Sequence, residues 1–353
     1  MKTIGNSRRP LSPEPRGVLH RLPLGEFAHG RVAAPDDLAD RIEHFWSVRW
    51  NLEGLPPQVQ ETLPHPNVHI VVEPGRADAW GVHTGRWTRV LEGRSAAFGI
   101  KFRPGAFRAV LGRAVSTIAE DSVPLAELFG DAAGALHAAL QDIDDAAAVE
   151  AAARFLREHL PPLDERAELA GRIVDGVVDD LELHSADELA RRFGLGLRAL
   201  QRLFGDYVGV GPKWVIQRYR LHEAVARVQA GRPVAWAALA QDLGYFDQAH
   251  FIADFRKLVG HTPGDYERLV QPSRIDTSTP SPNGVDSQPP AGERTHLRER
   301  TEHAQMDRVH GWSGDLESAK PRTSPCGARE VRHDSPGESV LFVSPVGLRP
   351  PPP

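Results

Sequence analysis

The chain has one cysteine, Cys326, so it has no internal disulfide framework and no metal site built mainly from thiolates, and a reducing compartment is expected. No apolar run follows the basic residues Lys2, Arg8 and Arg9, and none elsewhere is long enough for a membrane span. Neither a secretory leader nor a membrane contact is therefore read, and a cytoplasmic location is expected. A global excess of positive charge is missing too: the formal net charge is −5. Also lacking are a nucleophile elbow, a glycine-rich phosphate loop behind a strand, an HExxH-type motif and a cysteine with a catalytic partner. No catalytic residue, metal or cofactor is expected, and the chain is not read as an enzyme.

What is present is enough chain for two domains. At 353 residues it exceeds the size at which a single core usually stops growing. Residues 17–162 read as an α+β domain. Trp46, Val48, Trp50 and Leu52 alternate, as do Phe98, Ile100 and Phe102, and Val68 to Val72 and Trp87 to Leu91 are short strand candidates between turn signals at Pro74-Gly75 and His83-Thr84-Gly85. This predicts a small, mostly antiparallel sheet. Helices are expected at Ala106 to Leu111, Leu125 to Phe129, Ala132 to Leu140 and Ala146 to His159, with Pro161-Pro162 as a stop. Residues 166–270 read as all-α. Residues 1–16 and 271–353, with much of the proline, are too polar to offset their chain entropy and are expected to be disordered.

The all-α segment holds the informative pattern. Ser185 with Glu188 three residues on is a capping-box start, and Gly194 permits a sharp turn through positive φ. A second helix follows from about Gly196 to Tyr207, its core face made by Leu197, Leu200, Leu203, Phe204 and Tyr207. On the other face Arg198, Gln201 and Arg202 project together at i, i+3 and i+4. Arg forks onto guanine and Gln onto adenine in the major groove, and the second helix of a helix–turn–helix unit is the one that enters it. An isolated Arg/Gln cluster is more often a solvated helix face; its position decides for base reading. The unit recurs. Val234, Trp236, Ala238, Leu239 and Leu243 make a short helix ended by Gly244, and Asp247 caps another that carries Phe251, Phe255, Leu258 and Val259. A longer helix from Pro212 to about Ala230, with Leu221, Val225 and Val228 as its stripe, joins the units as a spacer. Trp214, Tyr219, Trp236, Tyr245, Phe246, Phe251 and Phe255 are read as packing residues rather than stacking platforms. From Ser185 to Arg268 there are 12 Lys/Arg against 9 Asp/Glu, a local +3 in an otherwise acidic chain.

Several runs here resemble the AraC/XylS family of regulators: Leu189-Ala190-Arg191-Arg192-Phe193-Gly194, Arg198-Ala199-Leu200-Gln201-Arg202-Leu203-Phe204, Gly209-Val210-Gly211-Pro212-Lys213, Leu239-Ala240-Gln241-Asp242-Leu243-Gly244-Tyr245 and Gly260-His261-Thr262-Pro263. The resemblance spans about 100 residues. It implies double-stranded DNA as a partner, base contacts from Arg198, Gln201 and Arg202, and a second set from Gln248, Ala249 and His250. Arg256 and Lys257 are phosphate candidates. The second reader departs from a common family pattern at Ala253, which cannot hydrogen-bond a base edge; the first reader is therefore expected to carry more of the specificity. RNA polymerase and a second copy of the chain are further partners that the family implies. Cys326, set in the proline-rich tail, counts against a fused thiol-dependent alkyl-transfer enzyme.

The front half resembles the uncharacterised sheet domain that precedes such readers, through His44-Phe45-Trp46-Ser47-Val48, the run Glu61 to Glu73, and Ala97-Phe98-Gly99-Ile100-Lys101-Phe102-Arg103-Pro104-Gly105. That implies an effector-sensing or dimer-forming role. If strand alternation starts at Val68, then His69 and Val71 share one face and Val68, Ile70 and Val72 the other. Trp46, Trp80 and Trp87 are candidates for the lining of a pocket for a small organic effector. The alternative is a metal-dependent sheet enzyme using His65, His69 and His83 with Glu73. The spacing disfavours it, because His65 and His69 straddle Pro66 on the way into a strand rather than sharing a helix face.

Overall fold

In the computed structural model, residues 17–19, 24–141, 144–180, 182–231, 234–245 and 247–270 are described. The two ends expected to be disordered, with Cys326 and a short apolar run at Val340–Val346, lie outside these residues, as does Phe246.

Seven strands come first: β1 (Glu26–Ala33), β2 (Ile42–Leu52), β3 (Gln58–Thr62), β4 (His69–Glu73), β5 (Arg76–Trp80), β6 (Trp87–Leu91) and β7 (Gly93–Phe102). A short helix α1 (Arg108–Leu111) and a tight helical turn at Val115–Ile118 lead to β8 (Ser122–Pro124), and α2 (Leu125–Phe129), α3 (Asp131–Ala139) and α4 (Asp145–His159) follow. Six strands form one antiparallel sheet in the order β1-β2-β7-β4-β5-β8, and β3 pairs with β6 in a separate two-stranded sheet. The sheet is larger than the alternation pattern suggests. β1, β3 and β5 escape a pattern reading because they are polar or rich in small residues and are held by register with their neighbours rather than by a pattern of their own.

Strand alternation sorts the side chains onto two faces. Phe45, Ile70, Val72, Phe98, Ile100 and Phe102 turn to one side and join Leu136, Ala152 and Leu156 of α3 and α4 in the main core. Burial of each such side chain stabilises the fold by about 1.5–3 kcal/mol. His69 and Val71 turn to the other side, as the alternation from Val68 predicts, and line a cavity there. A register irregularity between Ile42 and His44 sets Glu43 beside Lys101, whose Nζ lies 2.9 Å from its Oε1.

The helical half contains α5 (Glu165–Asp179), α6 (Ala186–Arg192), α7 (Leu197–Tyr207), α8 (Pro212–Gln229), α9 (Trp236–Asp242), α10 (Gln248–Val259) and α11 (Pro263–Val270). Side-chain caps start α4, α5, α6 and α10. Asp144, Asp164, Ser185 and Asp247 accept from Ala147, Ala167, Glu188 and His250 N–H respectively, each satisfying a donor that the helix itself leaves open. Gly194 and Gly244, at φ +69° and +73°, make the two sharp turns in a region that L residues avoid. Leu221, Val225 and Val228 are buried along α8, as its stripe predicts.

Candidate nucleic-acid interface and cavity

Each reader is a short helix, a positive-φ glycine and a second helix. In the first, Leu189 and Ala190 of α6 pack with Leu200, Leu203 and Phe204 of α7 and with Ile173 and Val177 of α5. With that stripe buried, the opposite face of α7 carries Arg198, Gln201 and Arg202, all exposed. In the second, Phe251, Phe255 and Val259 of α10 are buried with Ala240 and Leu243. Trp236 meets Phe255 edge to face at 5.3 Å. The outward face of α10 presents Gln248, Ala249, His250 and Ala253, with Arg256 and Lys257 exposed near its end.

The two outward faces differ in chemistry. Beside His250 stands Asp254, which accepts a bond from Tyr245 Oη at 3.1 Å and lies 3.9 Å from His250 Nε2. Burial and the neighbouring Asp254 carboxylate push the Tyr245 phenol above its ordinary range, so it stays a donor. A carboxylate held on the face of α10 repels phosphate, and nothing comparable stands among the three side chains of α7.

The cavity lies beneath the other face of the six-stranded sheet and is lined on its far side by residues of β3 and β6. It measures about 670 Å³, and Trp46, Trp80 and Trp87 all line it, together with Trp50, which the alternation of β2 also places on this face. Trp46 is pinned: its Nε1–H donates to His69 Nδ1 at 3.1 Å, and its indole lies against Gly99, where any Cβ would collide with the ring. His44, Lys101 and His69 are direct cross-strand neighbours on β2, β7 and β4 and form a polar row at one end. Burial lowers His69 to about 3 and His44 to about 4, with the Lys101 charge acting in the same direction, so both are neutral near pH 7.

The histidines of the metal alternative have separate partners. His69 is bonded to Trp46, His83 Nδ1 pairs with Glu120 at 3.2 Å, and Glu73 pairs with Arg89. His65 stacks on His222 of α8 with ring centroids 3.7 Å apart and planes 13° off parallel. Among the described residues no group of three or more His, Cys, Asp or Glu side chains is placed to hold a metal ion.

The sequence carries no signal for the seam joining the cavity to the second reader. Leu63, Pro64 and His65 line the cavity. On its outer side this same segment receives α8, where His222 Nε2 lies 3.2 Å from the Pro64 carbonyl and Arg218 donates to the Thr84 carbonyl. Leu19 and Leu63 belong to the core of the second reader, and the buried Tyr266 of α11 donates to the Leu19 carbonyl at 2.9 Å. Gln229, at the end of α8, bonds the Val18 carbonyl at 2.8 Å.

Two helix–turn–helix units on one spacer, behind a sheet with a cavity, define a double helix-turn-helix protein with an attached sheet domain. Residues 189–269 match the family described as a helix-turn-helix domain, and residues 30–124 match a domain of unknown function, DUF6597. The chain is 36% identical over 75 residues to the HTH-type transcriptional activator RhaS of Pectobacterium carotovorum, a match covering 21% of this chain and 26% of that protein. It thus spans about a quarter of that curated relative's length. The reader at 189–269 is thus a helix-turn-helix domain similar to those of AraC/XylS regulators. Solved structures similar to it include an AraC-type transcriptional regulator from Chromobacterium violaceum, with 25% identity, 29% of this chain and 91% of that one covered, and a TM-score of 0.25. ToxT from Vibrio cholerae is matched at 10% identity over 69% of this chain and 98% of that one, with a TM-score of 0.31.

Proposed function

We propose that this protein is a sequence-specific, DNA-binding transcription regulator without catalytic activity, acting on double-stranded DNA in the cytoplasm. The observation that carries this reading is the exposed set Arg198, Gln201 and Arg202 on the second helix of the first reader. These three read base edges, assisted by Gln248, Ala249 and His250 of the second reader, while Arg256 and Lys257 hold phosphates. The sheet half senses a small effector, in the cavity lined by Trp46, Trp80 and Trp87, or brings two copies together.

Effector sensing is supported by the seam. Leu63 and His65 belong both to the cavity wall and to the contact with α8 and the second reader. A ligand that moves this wall has differential affinity for two placements of the second reader, which is what a population shift requires. The outcome is altered engagement of the operator or of RNA polymerase.

The test is a titration of the full chain against the duplex upstream of its own gene and against random duplex, at two salt concentrations. Tighter upstream binding that disappears in Arg202→Ala supports the reading. Equal, strongly salt-dependent binding to both duplexes, unchanged in that variant, refutes sequence-specific reading by α7.

A further inference from the structure

The cavity wall specifies more than a volume. Trp46 is fixed over Gly99 and by its bond to His69 Nδ1, so its indole is a rigid plate rather than a mobile side chain. That bond also settles the tautomer of His69. An indole N–H only donates, so Nδ1 is the acceptor and the ring proton sits on Nε2. Among the described residues no protein atom accepts from Nε2, and His69 lines the cavity. Its N–H is thus a donor aimed at whatever the cavity holds.

The charged side chains that line the wall already have partners. Lys101 pairs with Glu43 at 2.9 Å, Arg89 pairs with Glu73, and Arg31 is bonded to His44 Nε2 at 3.1 Å. A charged ligand would lose its water and find Lys101 and Arg89 already paired with carboxylates and Arg31 already hydrogen-bonded, which is costly. An uncharged ring system loses little on desolvation and gains contact with Trp46, Trp50, Trp80 and Trp87.

We infer that the cavity takes a neutral, planar, largely apolar ring compound bearing a carbonyl-type oxygen, which accepts a hydrogen bond from His69 Nε2. The inference rests on the reading of this cavity as the effector site and names its ligand class. Burial, which holds His69 neutral, keeps this tautomer and its Nε2–H donor over the neutral pH range.

Three probes with one ring system separate the contributions: fluorenone, fluorene and fluorene-9-carboxylate, titrated calorimetrically into the full chain. Fluorenone is expected to bind roughly five- to tenfold more tightly than fluorene, the effect of one hydrogen bond, and the carboxylate more weakly than either. In His69→Leu the advantage of fluorenone should vanish while fluorene binding is retained, and His69→Gln, which keeps an N–H donor, should recover part of it. A merely structural role for His69 would lower both affinities together. Tighter binding of the carboxylate, or equal binding of fluorenone and fluorene to the native chain, overturns the ligand class and leaves the effector reading standing. Failure of all three probes to bind a chain that melts cooperatively and still binds DNA overturns the ligand class and the effector reading together.

Discussion

The two readers share a plan but are finished differently. On α7 three long polar side chains stand together, and the core beneath them is made by α5, α6 and α8 with Val82 from the front half. On α10 the corresponding face carries Ala249 and Ala253 among its polar residues, with Asp254 tied to Tyr245 beside them, and the core beneath takes in Leu19 and Leu63 from the front half. Both cores take in residues of the front half, Val82 beneath the first reader and Leu19 and Leu63 beneath the second, so the readers differ in outward chemistry more than in attachment.

The largest expected effect tests the attachment. Leu63 is fully buried in the second reader's core, so Leu63→Ala should destabilise the protein by about 2–5 kcal/mol. Hydrogen exchange should show the loss of protection concentrated in α9 to α11; equal loss across α5 to α7 would erase the asymmetry.

Acid should open the same seam. His44 and His69 have folded values of about 4 and about 3, below their ordinary 6.5, and His65 is also held low by burial. A lowered value means that the unfolded chain binds the proton first. Their contribution is therefore fully present above pH 6.5 and declines as pH falls through about 4 for His44 and about 3 for His69, with uptake of about one proton per histidine on unfolding. Urea melts at pH 8, 6 and 5 should show this decline. Because His65 stacks on His222, exchange protection of α8 and the second reader should fall before that of the first; a pH-independent melt would contradict the account.

On DNA the contrast should appear as a difference in specificity. Arg202→Ala should lose about 1–3 kcal/mol on the cognate site and little on random duplex, whereas Ala249→Gly on α10 should change the cognate preference far less. Equal losses would collapse the distinction between the readers. The smallest effect is expected for Lys257→Ala, which should weaken binding to every duplex alike and lower the salt slope by about one. A sequence-dependent loss there would move Lys257 from the backbone to the bases.

The sequence by itself determined the local plan of this protein. Caps at Ser185 and Asp247, positive-φ turns at Gly194 and Gly244 and the apolar stripes of α7 and α8 are written in adjacent residues, because capping, backbone freedom and helical periodicity act over a few positions. Alternation likewise separated Val68, Ile70 and Val72 from His69 and Val71. β1, β3 and β5 were not legible, since their polar and small residues are ordered by neighbouring strands that are distant in the chain. Tertiary structure alone decided that Trp46 lies over Gly99 with His69 as its acceptor, that Glu43 meets Lys101, and that Leu19 and Leu63 complete a reader some 200 residues away. Each of these joins residues far apart in sequence, and no local pattern encodes which partner a side chain meets when two elements close on one another.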